Sequence, residues 1–485
     1  MFIGIDLGTS SIKSILIGED GRLIATASEP LKVSRPAPGF SEQDPESWYQ
    51  ATLSALDNLA KQAPREMATV RGIGLSGQQH GATLLDKSGN VLRPCILWND
   101  VRSAKECKEL EERLPALGSI TGNPTLPGFT APKLVWVKRH EPAIFARVAK
   151  VLLPKAYLRY RLSGEYIEDM SDASGTAWLE VGKRAWSKAA LEATDLSIDH
   201  MPALVEGTAP AGRLRAELAQ RWGMVQPPVI AGSAGDNAAG AIALGAIHPG
   251  DAFVSLGTSG VLWATTAGFA PNTTAAVHAF CHCVPNTWHQ MGVILSAASC
   301  LSWLSSVVGV AEGDLLKELG EAVERPSSVV FLPYLSGERT PHNDADIRGA
   351  FAGMSHDTSR AVLAQSVMEG VAFAMRDCLE ALRDAGTRLK SVDAIGGGAR
   401  SKLWLAIIAN VLDLPVNRLA DSEVSGAMGG ALLGRMAATG EPPSAVCKPP
   451  RRMETLEPQS TLRDAYAGAY AHYRKLYPAI KEATR

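Results

Sequence analysis

Two stretches of the chain repeat the same core, Leu-Gly-Thr-Ser, about half a chain apart. Residues 5–11 read IDLGTSS and residues 254–260 read VSLGTSG. Each core lies inside a short apolar run, which predicts two strands joined by a tight turn. Asp6 occupies the position where the second copy has Ser255. Each half of the chain is therefore expected to carry such a hairpin, and only the first carries a carboxylate.

Length and composition limit the possible classes of protein. The chain has 485 residues, more than one domain of roughly 100–200 residues usually holds, so two domains are expected. With 48 Lys+Arg against 50 Asp+Glu, the net charge of −2 predicts neither a nucleic-acid nor a membrane partner. The first six residues lack the basic region of a signal peptide. Seven cysteines without a secretion signal indicate reduced thiols in a cytoplasmic protein.

The order of apolar runs and turn residues predicts α/β architecture in both halves. A sharp break at residues 248–251, His-Pro-Gly-Asp, precedes the second hairpin. We place the domain boundary there, which gives domains of residues 1–247 and 248–485. Predicted strands are residues 2–6, 12–17, 229–231, 253–256, 261–265 and 392–395, and predicted helices lie within 46–60, 236–245 and 359–385.

Several motifs together resemble one family of enzymes. IGIDLGTSSIKS, VSLGTSG and DAIGGGARSKLW resemble the two phosphate motifs and the adenosine motif of the actin, hexokinase and sugar-kinase superfamily. GFTAPKLVWVKRH resembles a signature of the FGGY carbohydrate kinases, which include glycerol, gluconate, ribulose and xylulose kinases. Six more blocks resemble the xylulose-phosphorylating members: SEQDPESW, GQQHGATLLD, LWNDVRS, MSDASGT, GDNAAGA and FLPYLSGERTPHN.

The resemblance implies a duplicated ribonuclease H-like, actin-like fold with a cleft between the halves. It also implies ATP-dependent phosphorylation of D-xylulose at the 5-hydroxyl in xylose catabolism, with Mg²⁺ as cofactor and a homodimer as the assembly. The implied sites are Asp236 as catalytic base; Gln79, His80 and Asn237 for the sugar; Thr9, Ser10, Lys13, Gly257, Thr258, Gly397 and Gly398 for ATP; and Asp6 for Mg²⁺ through water.

Chemistry supports these roles, although each residue has a structural alternative. Phosphoryl transfer to a hydroxyl needs a proton acceptor, and consecutive N–H groups at a Gly-Thr-Ser tip suit phosphate oxygens. Asp236 is also a plausible helix N-cap, Asp6 a turn residue and His80 a structural histidine. Trp98 is interpreted either as a sugar-stacking or as a core residue. The roles of Arg339 and His342 stay open.

The motifs are also compatible with other functions. The same nucleotide motifs suit a kinase for L-ribulose, D-ribulose or glycerol, and the fold also suits an actin-like regulatory ATPase or a sugar-binding protein without catalysis. Residues 72–77 spell GxGxxG, but no convincing helix follows, so a dinucleotide site is not expected. The histidines and cysteines of HAFCHCVPNTWH lack zinc-ligand spacing and fit a buried strand better.

Overall fold

The computed structural model describes residues 1–320, 322–420 and 426–484. The strands of the first half are β1 (Phe2–Leu7), β2 (Ser11–Ile17), β3 (Leu23–Pro30), β4 (Glu42–Gln43), β5 (Gly72–Gly77), β6 (Thr83–Leu85), β7 (Cys95–Ile96), β8 (Lys150–Leu152), β9 (Ile167–Asp169), β10 (Leu179–Glu180), β11 (Ala185–Trp186), β12 (Ala203–Val205), β13 (Pro210–Arg213), β14 (Val229–Ala231) and β15 (Ala234–Gly235). Its helices are α1 (Pro45–Gln62), α2 (Pro64–Met67), α3 (Ala104–Arg113), α4 (Leu117–Thr121), α5 (Thr130–His140), α6 (Pro142–Phe145), α7 (Pro154–Ser163), α8 (Met170–Ala173), α9 (Lys188–Ala193), α10 (Ala216–Arg221) and α11 (Asp236–Ala243).

The second half continues with nine strands and seven α-helices among the residues described. The strands are β16 (Ala252–Leu256), β17 (Gly260–Thr266), β18 (His278–Cys281), β19 (Trp288–Ile294), β20 (Val330–Leu332), β21 (Ala350–Ala352), β22 (Val392–Ile395), β23 (Val416–Leu419) and β24 (Arg452–Leu456). The helices are α12 (Ala298–Val308), α13 (Glu312–Leu319), α14 (Arg360–Asp384), α15 (Lys402–Leu412), α16 (Gly426–Thr439), α17 (Pro443–Val446) and α18 (Arg463–Ala483).

The two main sheets have the same topology. In the first, the order β14-β5-β1-β2-β3 places β1 antiparallel to β2 and parallel to β5. In the second, the order β23-β22-β16-β17-β19 places β16 antiparallel to β17 and parallel to β22. The predicted hairpins thus occupy equivalent central positions. The duplication inferred from the repeated Leu-Gly-Thr-Ser core is confirmed at the level of strand order.

Local signals explain where the principal helices begin. Asp44 caps α1 by accepting a hydrogen bond from the Glu46 amide, and Pro45 occupies the first turn, where no amide donor is needed. Ser359 caps α14 through the Val362 amide. Helix α14 is buried along most of its 25 residues and contacts β19 and β20, so it forms the centre of the second core.

Helix α16 belongs to the second half of the sequence but packs on the first sheet. Its main chain approaches β1 and β5 so closely that a Cβ added at Gly4 would lie 1.7 Å from the Ala427 carbonyl oxygen. A Cβ added at Gly74 would lie 1.9 Å from the Gly430 carbonyl oxygen. Only glycine permits this separation of helix and sheet. The domain boundary at residue 247 stays a prediction. Helix α16 lies after this boundary in the sequence but packs on strands that lie before it.

The GxGxxG sequence at residues 72–77 lies entirely within β5. It therefore forms no phosphate-binding loop, and the first glycine serves the packing of α16, since a Cβ on Gly72 would lie 2.1 Å from the Gly434 carbonyl oxygen. Among the residues that the model describes, no helix is both long and apolar enough to cross a membrane.

Candidate active site

The two hairpin tips project from the central strands of the two sheets. The first tip connects β1 and β2, and the register pairs Asp6 with Lys13 across the hairpin. The second connects β16 and β17, with Ser255 opposite Val261. Ser10 and Thr258 are exposed at the tips. The sequence-predicted phosphate residues therefore lie on two equivalent turns.

Side chains from three separate segments of the chain hold the first tip. The Thr9 hydroxyl donates to the Gln78 side-chain oxygen at 2.9 Å and accepts from the Trp98 indole at 3.0 Å. The Gln43 amide donates to the Thr9 carbonyl at 2.7 Å and accepts from the Gln78 amide at 2.9 Å. The Thr9 hydroxyl is therefore occupied within the protein, which leaves the tip amides as the groups suited to phosphate.

Gln43 and Gln78 were not predicted as site residues. Both lie within the quoted motifs SEQDPESW and GQQHGATLLD, so motif membership was the available signal. Trp98 is 47% exposed, and the interpretation as a core tryptophan is therefore wrong. Its indole instead reaches the first hairpin tip.

The second tip rests on the start of α12. The Thr258 carbonyl accepts from the Ala297 amide at 2.9 Å and from the Ser299 hydroxyl at 2.7 Å. The Gly257 carbonyl accepts from the Ala298 amide at 2.8 Å. In all three hydrogen bonds, the turn contributes a carbonyl group as the acceptor.

Strand register brings Asp6 and Asp236 into one region. Ser76 of β5 is paired with Asp6 of β1 on one side and with Ala234 of β15 on the other. Since adjacent strands lie roughly 4.8 Å apart, the main chains at Asp6 and Ala234 are about 10 Å apart. Asp236 follows two residues later, at the start of α11.

Asp236 is the first residue of α11, and Gly235 occupies the N-cap position. The interpretation of Asp236 as the N-cap is therefore wrong. Its Oδ1 accepts from the Asn237 amide at 2.7 Å and from the Asn237 side-chain amide at 3.0 Å. The side chain is open to solvent at its surface. Desolvation by the surrounding protein, and secondly the negative charge of Asp6, raise the pKa of Asp236 to about 7. Such a carboxyl can accept a proton near neutral pH.

Asp6 is half-buried, and this burial raises its pKa, opposed by the nearby Ser76 hydroxyl and Lys13 ammonium. The start of α16 lies against it, since a Cβ added at Gly426 would be 2.7 Å from Asp6 Oδ1. A carboxylate oxygen in this position is a suitable ligand for hydrated Mg²⁺.

His80 has a left-handed backbone, with φ of 67°. Its Nδ1 lies 2.7 Å from the Gly175 carbonyl oxygen, which can only accept, so we assign the proton to Nδ1 and leave Nε2 as an acceptor. Burial and then the Lys133 ammonium lower the pKa of His80 to about 3. The ring is therefore neutral and lies 4.8 Å from the Phe129 ring.

Gln79 is buried beside α11. Its side-chain amide donates weakly to the Ser171 carbonyl at 3.4 Å, and a Cβ on Gly235 would meet that amide at 2.6 Å. Gln79 therefore lies next to the residue that precedes Asp236. The structure brings together the sugar-side residues predicted from the sequence, Gln79, His80, Asp236 and Asn237.

Two models of one known family match the two halves of this chain. The N-terminal domain of the FGGY family of carbohydrate kinases matches residues 1–243, and its C-terminal domain matches residues 252–438. The chain belongs to the FGGY family of carbohydrate kinases. The two equivalent sheets, together with the solved structures that superpose on this chain, confirm the predicted actin-like architecture.

Individual proteins resemble this FGGY kinase over its whole length. A xylulose kinase of Escherichia coli (strain K12) is 48% identical over 482 residues, covering 99% of both chains. A solved structure described as a xyloylose kinase from Brucella ovis superposes with a TM-score of 0.97 at 54% identity, covering 99% of both chains. The xylulose kinase from Rhodospirillum rubrum gives 0.93 at 28% identity and the same coverage.

Arg339 and His342 of this FGGY kinase contact different parts of the structure. Arg339 Nη1 lies 3.4 Å from His278 Nε2, and His278 packs against Phe129 beside His80. His342 stacks on Tyr477 of α18 with ring centroids 3.6 Å apart. Arg339 therefore lies near the sugar-side residues, whereas His342 attaches its loop to the C-terminal helix.

The predicted nucleotide glycines lie at the end of β22. A Cβ on Gly398 would be 2.8 Å from Leu256 Cβ, so this residue is required by packing against β16. Gly397 is exposed and a Cβ there would meet nothing within 4 Å. Gly397 is thus the residue of the pair that faces open space.

Among the described parts of the chain, one group of side chains has metal-ligand spacing: Glu168, Asp169 and Asp172. The Lys155 ammonium already lies 2.5, 2.8 and 3.4 Å from these three carboxylates. The group is buried and internally paired. The histidines and cysteines of HAFCHCVPNTWH form no such group in the described structure, and His278–Cys281 is the buried strand β18.

Proposed function

We propose that this FGGY kinase transfers the γ-phosphoryl group of MgATP to the 5-hydroxyl of D-xylulose, giving D-xylulose 5-phosphate and ADP. The sugar assignment is carried by one observation, the similarity to xylulose kinases over 99% of the chain. The arrangement of acidic and neutral polar side chains beside the first hairpin is compatible with that reaction.

Asp236 accepts the proton of the 5-hydroxyl in this proposal. Its pKa of about 7 suits a base at neutral pH. Both hydrogen bonds from Asn237 reach Oδ1, which leaves Oδ2 available for the hydroxyl. Asn237 then positions the base and contributes to the sugar site through the same amide.

Neutral groups bind the remaining hydroxyls. His80 stays uncharged because its pKa is about 3, and its Nε2 can accept a hydrogen bond. Gln79 offers an amide donor and an acceptor. Buried polar groups that pair with particular hydroxyls select against analogues that lack those hydroxyls, because the protein groups are then left unpaired.

The tips hold the nucleotide phosphates. Amides at Thr9 and Ser10 act from one side, and those at Gly257 and Thr258 act from the other, with Lys13 adding positive charge and Gly397 and Gly398 next to the nucleoside. Asp6 holds hydrated Mg²⁺, which neutralises phosphate charge when it is bound.

The test is ADP release with D-xylulose, D-ribulose, L-ribulose, glycerol or no sugar. D-xylulose should give the highest kcat/KM, and Asp236→Asn should lower kcat at least roughly 100-fold. Asp20→Asn is the matched control, because Asp20 follows β2 at the opposite end from the tip. Preference for another polyol would contradict the sugar assignment, and sugar-independent hydrolysis unaffected by Asp236→Asn would favour a regulatory ATPase.

We further propose a cytoplasmic homodimer. All seven cysteines are free and buried, which suits a reducing compartment. Light scattering after size exclusion should give twice the mass of the chain, and a monomer mass at micromolar concentration would contradict the dimer.

A further inference from the structure

Lys133 on α5 is fully buried, with 0% of its surface exposed. No carboxylate lies within ion-pair distance of it in the parts of the chain that the model describes, whereas the equally buried Lys155 contacts three. Burying an ammonium without a counter-ion is costly. The position of Lys133 therefore requires an explanation beyond charge pairing.

The contacts of Lys133 go to the main chain of the sugar side. Its Nζ donates to the His80 carbonyl at 2.8 Å and to the Gly128 carbonyl at 2.7 Å. The Thr130 hydroxyl, one helical turn earlier, donates to the same His80 carbonyl at 3.2 Å. Burial lowers the pKa of Lys133 to about 7. An uncharged amine keeps two N–H groups, so both contacts persist in either protonation state.

The His80 backbone needs such support. Its φ of 67° is unfavourable for a residue with a side chain and persists where surrounding contacts enforce it. The orientation of the His80 carbonyl fixes the peptide plane that follows the residue. That peptide and the Gly175 contact together determine where the imidazole points.

We infer that Lys133 is a positioning residue for the sugar: by holding the His80 carbonyl, it maintains the backbone that presents His80 and Gln79 to the substrate. The inference rests on the proposed function, in which these two residues bind the sugar. The hydrogen bonds of Lys133 do not reach either hairpin tip. The effect is therefore confined to sugar binding and separate from nucleotide binding.

Lys133→Met keeps the length of the side chain and removes the donors. We expect the calorimetric Kd and the KM for D-xylulose to rise roughly 10-fold or more, because the hydrogen bonds from Lys133 to two carbonyls are lost. The KM for MgATP should stay within about 2-fold. Lys138→Met is the matched control: Lys138 lies on the same helix, is half-exposed and pairs with Asp195 at 2.6 Å. It should change neither constant.

Thr130→Val provides a second test that does not depend on removing a buried amine. It removes one donor to the His80 carbonyl and should raise the KM for D-xylulose roughly 3-fold. If Lys133→Met does not fold, this variant decides the inference. In a His80→Ala background, Lys133→Met should add much less to KM than it does alone, because it acts through His80.

Different results would overturn the proposed function and the role of Lys133. Failure of the unsubstituted enzyme to phosphorylate D-xylulose would overturn the proposed function and this inference with it. Normal turnover by that enzyme, with unchanged sugar affinity in Lys133→Met or in Thr130→Val, would overturn the inference alone. Equal changes in the KM values for both substrates would indicate a general structural role and would also overturn it.

Discussion

Asp236 and Asp6 are electrostatically coupled across the candidate site. Desolvation by the surrounding protein, followed by the negative charge of Asp6, raises the pKa of Asp236 to about 7. The paired register of β1, β5 and β15 creates this coupling, because it places Asp6 of β1 at the same end of the sheet as β15, the strand that directly precedes Asp236. A base whose pKa lies near neutrality follows directly from that arrangement.

The first prediction concerns the pH dependence of catalysis. Asp236 must be ionised to accept a proton, so kcat/KM should rise with pH by roughly tenfold per unit below about pH 7 and level off above it. Both substrates are kept below saturation, so that the profile reports the free enzyme. The Asp20→Asn variant should show the same rise of kcat/KM with pH. A flat profile between about pH 5.5 and 8 would contradict Asp236 as the base.

The second prediction concerns stability without ligands. The pKa of Asp236 in the folded protein exceeds the ordinary value, so folding becomes less favourable as pH rises from about 4 to 7 and the penalty is full above that range. Asp236→Asn removes the penalty. Because the side chain is open to solvent, we expect a gain of roughly 1 kcal/mol, or a few degrees in Tm, at pH 8.

The same substitution should have little effect on Tm at about pH 3, where Asp236 is protonated in the folded state and largely protonated in the unfolded state. Thermal unfolding by circular dichroism at the two pH values measures the difference, with Asp20→Asn as control. Equal stabilisation at both values would show that the gain has another origin.

The third prediction concerns the first hairpin tip. Thr9→Val keeps the shape of the side chain but breaks the bonds to Gln78 and Trp98, so the tip amides lose their fixed position. The KM for MgATP should rise roughly 10-fold. Thr9→Ser retains the hydroxyl and should behave like the unsubstituted enzyme. A larger effect on the KM for sugar than on that for MgATP would contradict this role of the tip.

The fourth prediction concerns the contact between α16 and the first sheet. Gly74→Ala places a Cβ 1.9 Å from the Gly430 carbonyl oxygen, where neither main chain can move without disturbing its neighbours. We expect a loss of roughly 3 kcal/mol or more in the free energy of unfolding, or failure to fold.

Gly468→Ala is the matched control for this contact. It lies within α18, and a Cβ there meets nothing within 4 Å, so alanine should be neutral or stabilise by roughly 0.5–1 kcal/mol. Chemical denaturation measures both variants. Comparable stability of Gly74→Ala and Gly468→Ala would show that the helix can move away from the sheet.

Local sequence patterns were sufficient to predict much of the fold. The predicted strands at residues 229–231 and 392–395 agree with β14 and β22, and the predicted helix at 359–385 contains α14. Alternation, turn glycines and capping residues act over a few positions, so their consequences can be predicted from neighbouring residues. The motif order was likewise enough to select Asp6, Asp236 and the two tips as candidates, because their chemistry depends on residue type.

Other features arose only from contacts between residues distant in the chain. The first two glycines of GxGxxG, Gly72 and Gly74, serve the packing of α16, more than 350 residues later, and no local pattern encodes that approach. Lys133 reaches the His80 carbonyl from a separate helix. The neutral state of His80 and the raised pKa of Asp236 depend on desolvation by the surrounding protein. The sequence was sufficient to select the reactive groups, whereas their protonation and orientation were decided by the tertiary structure.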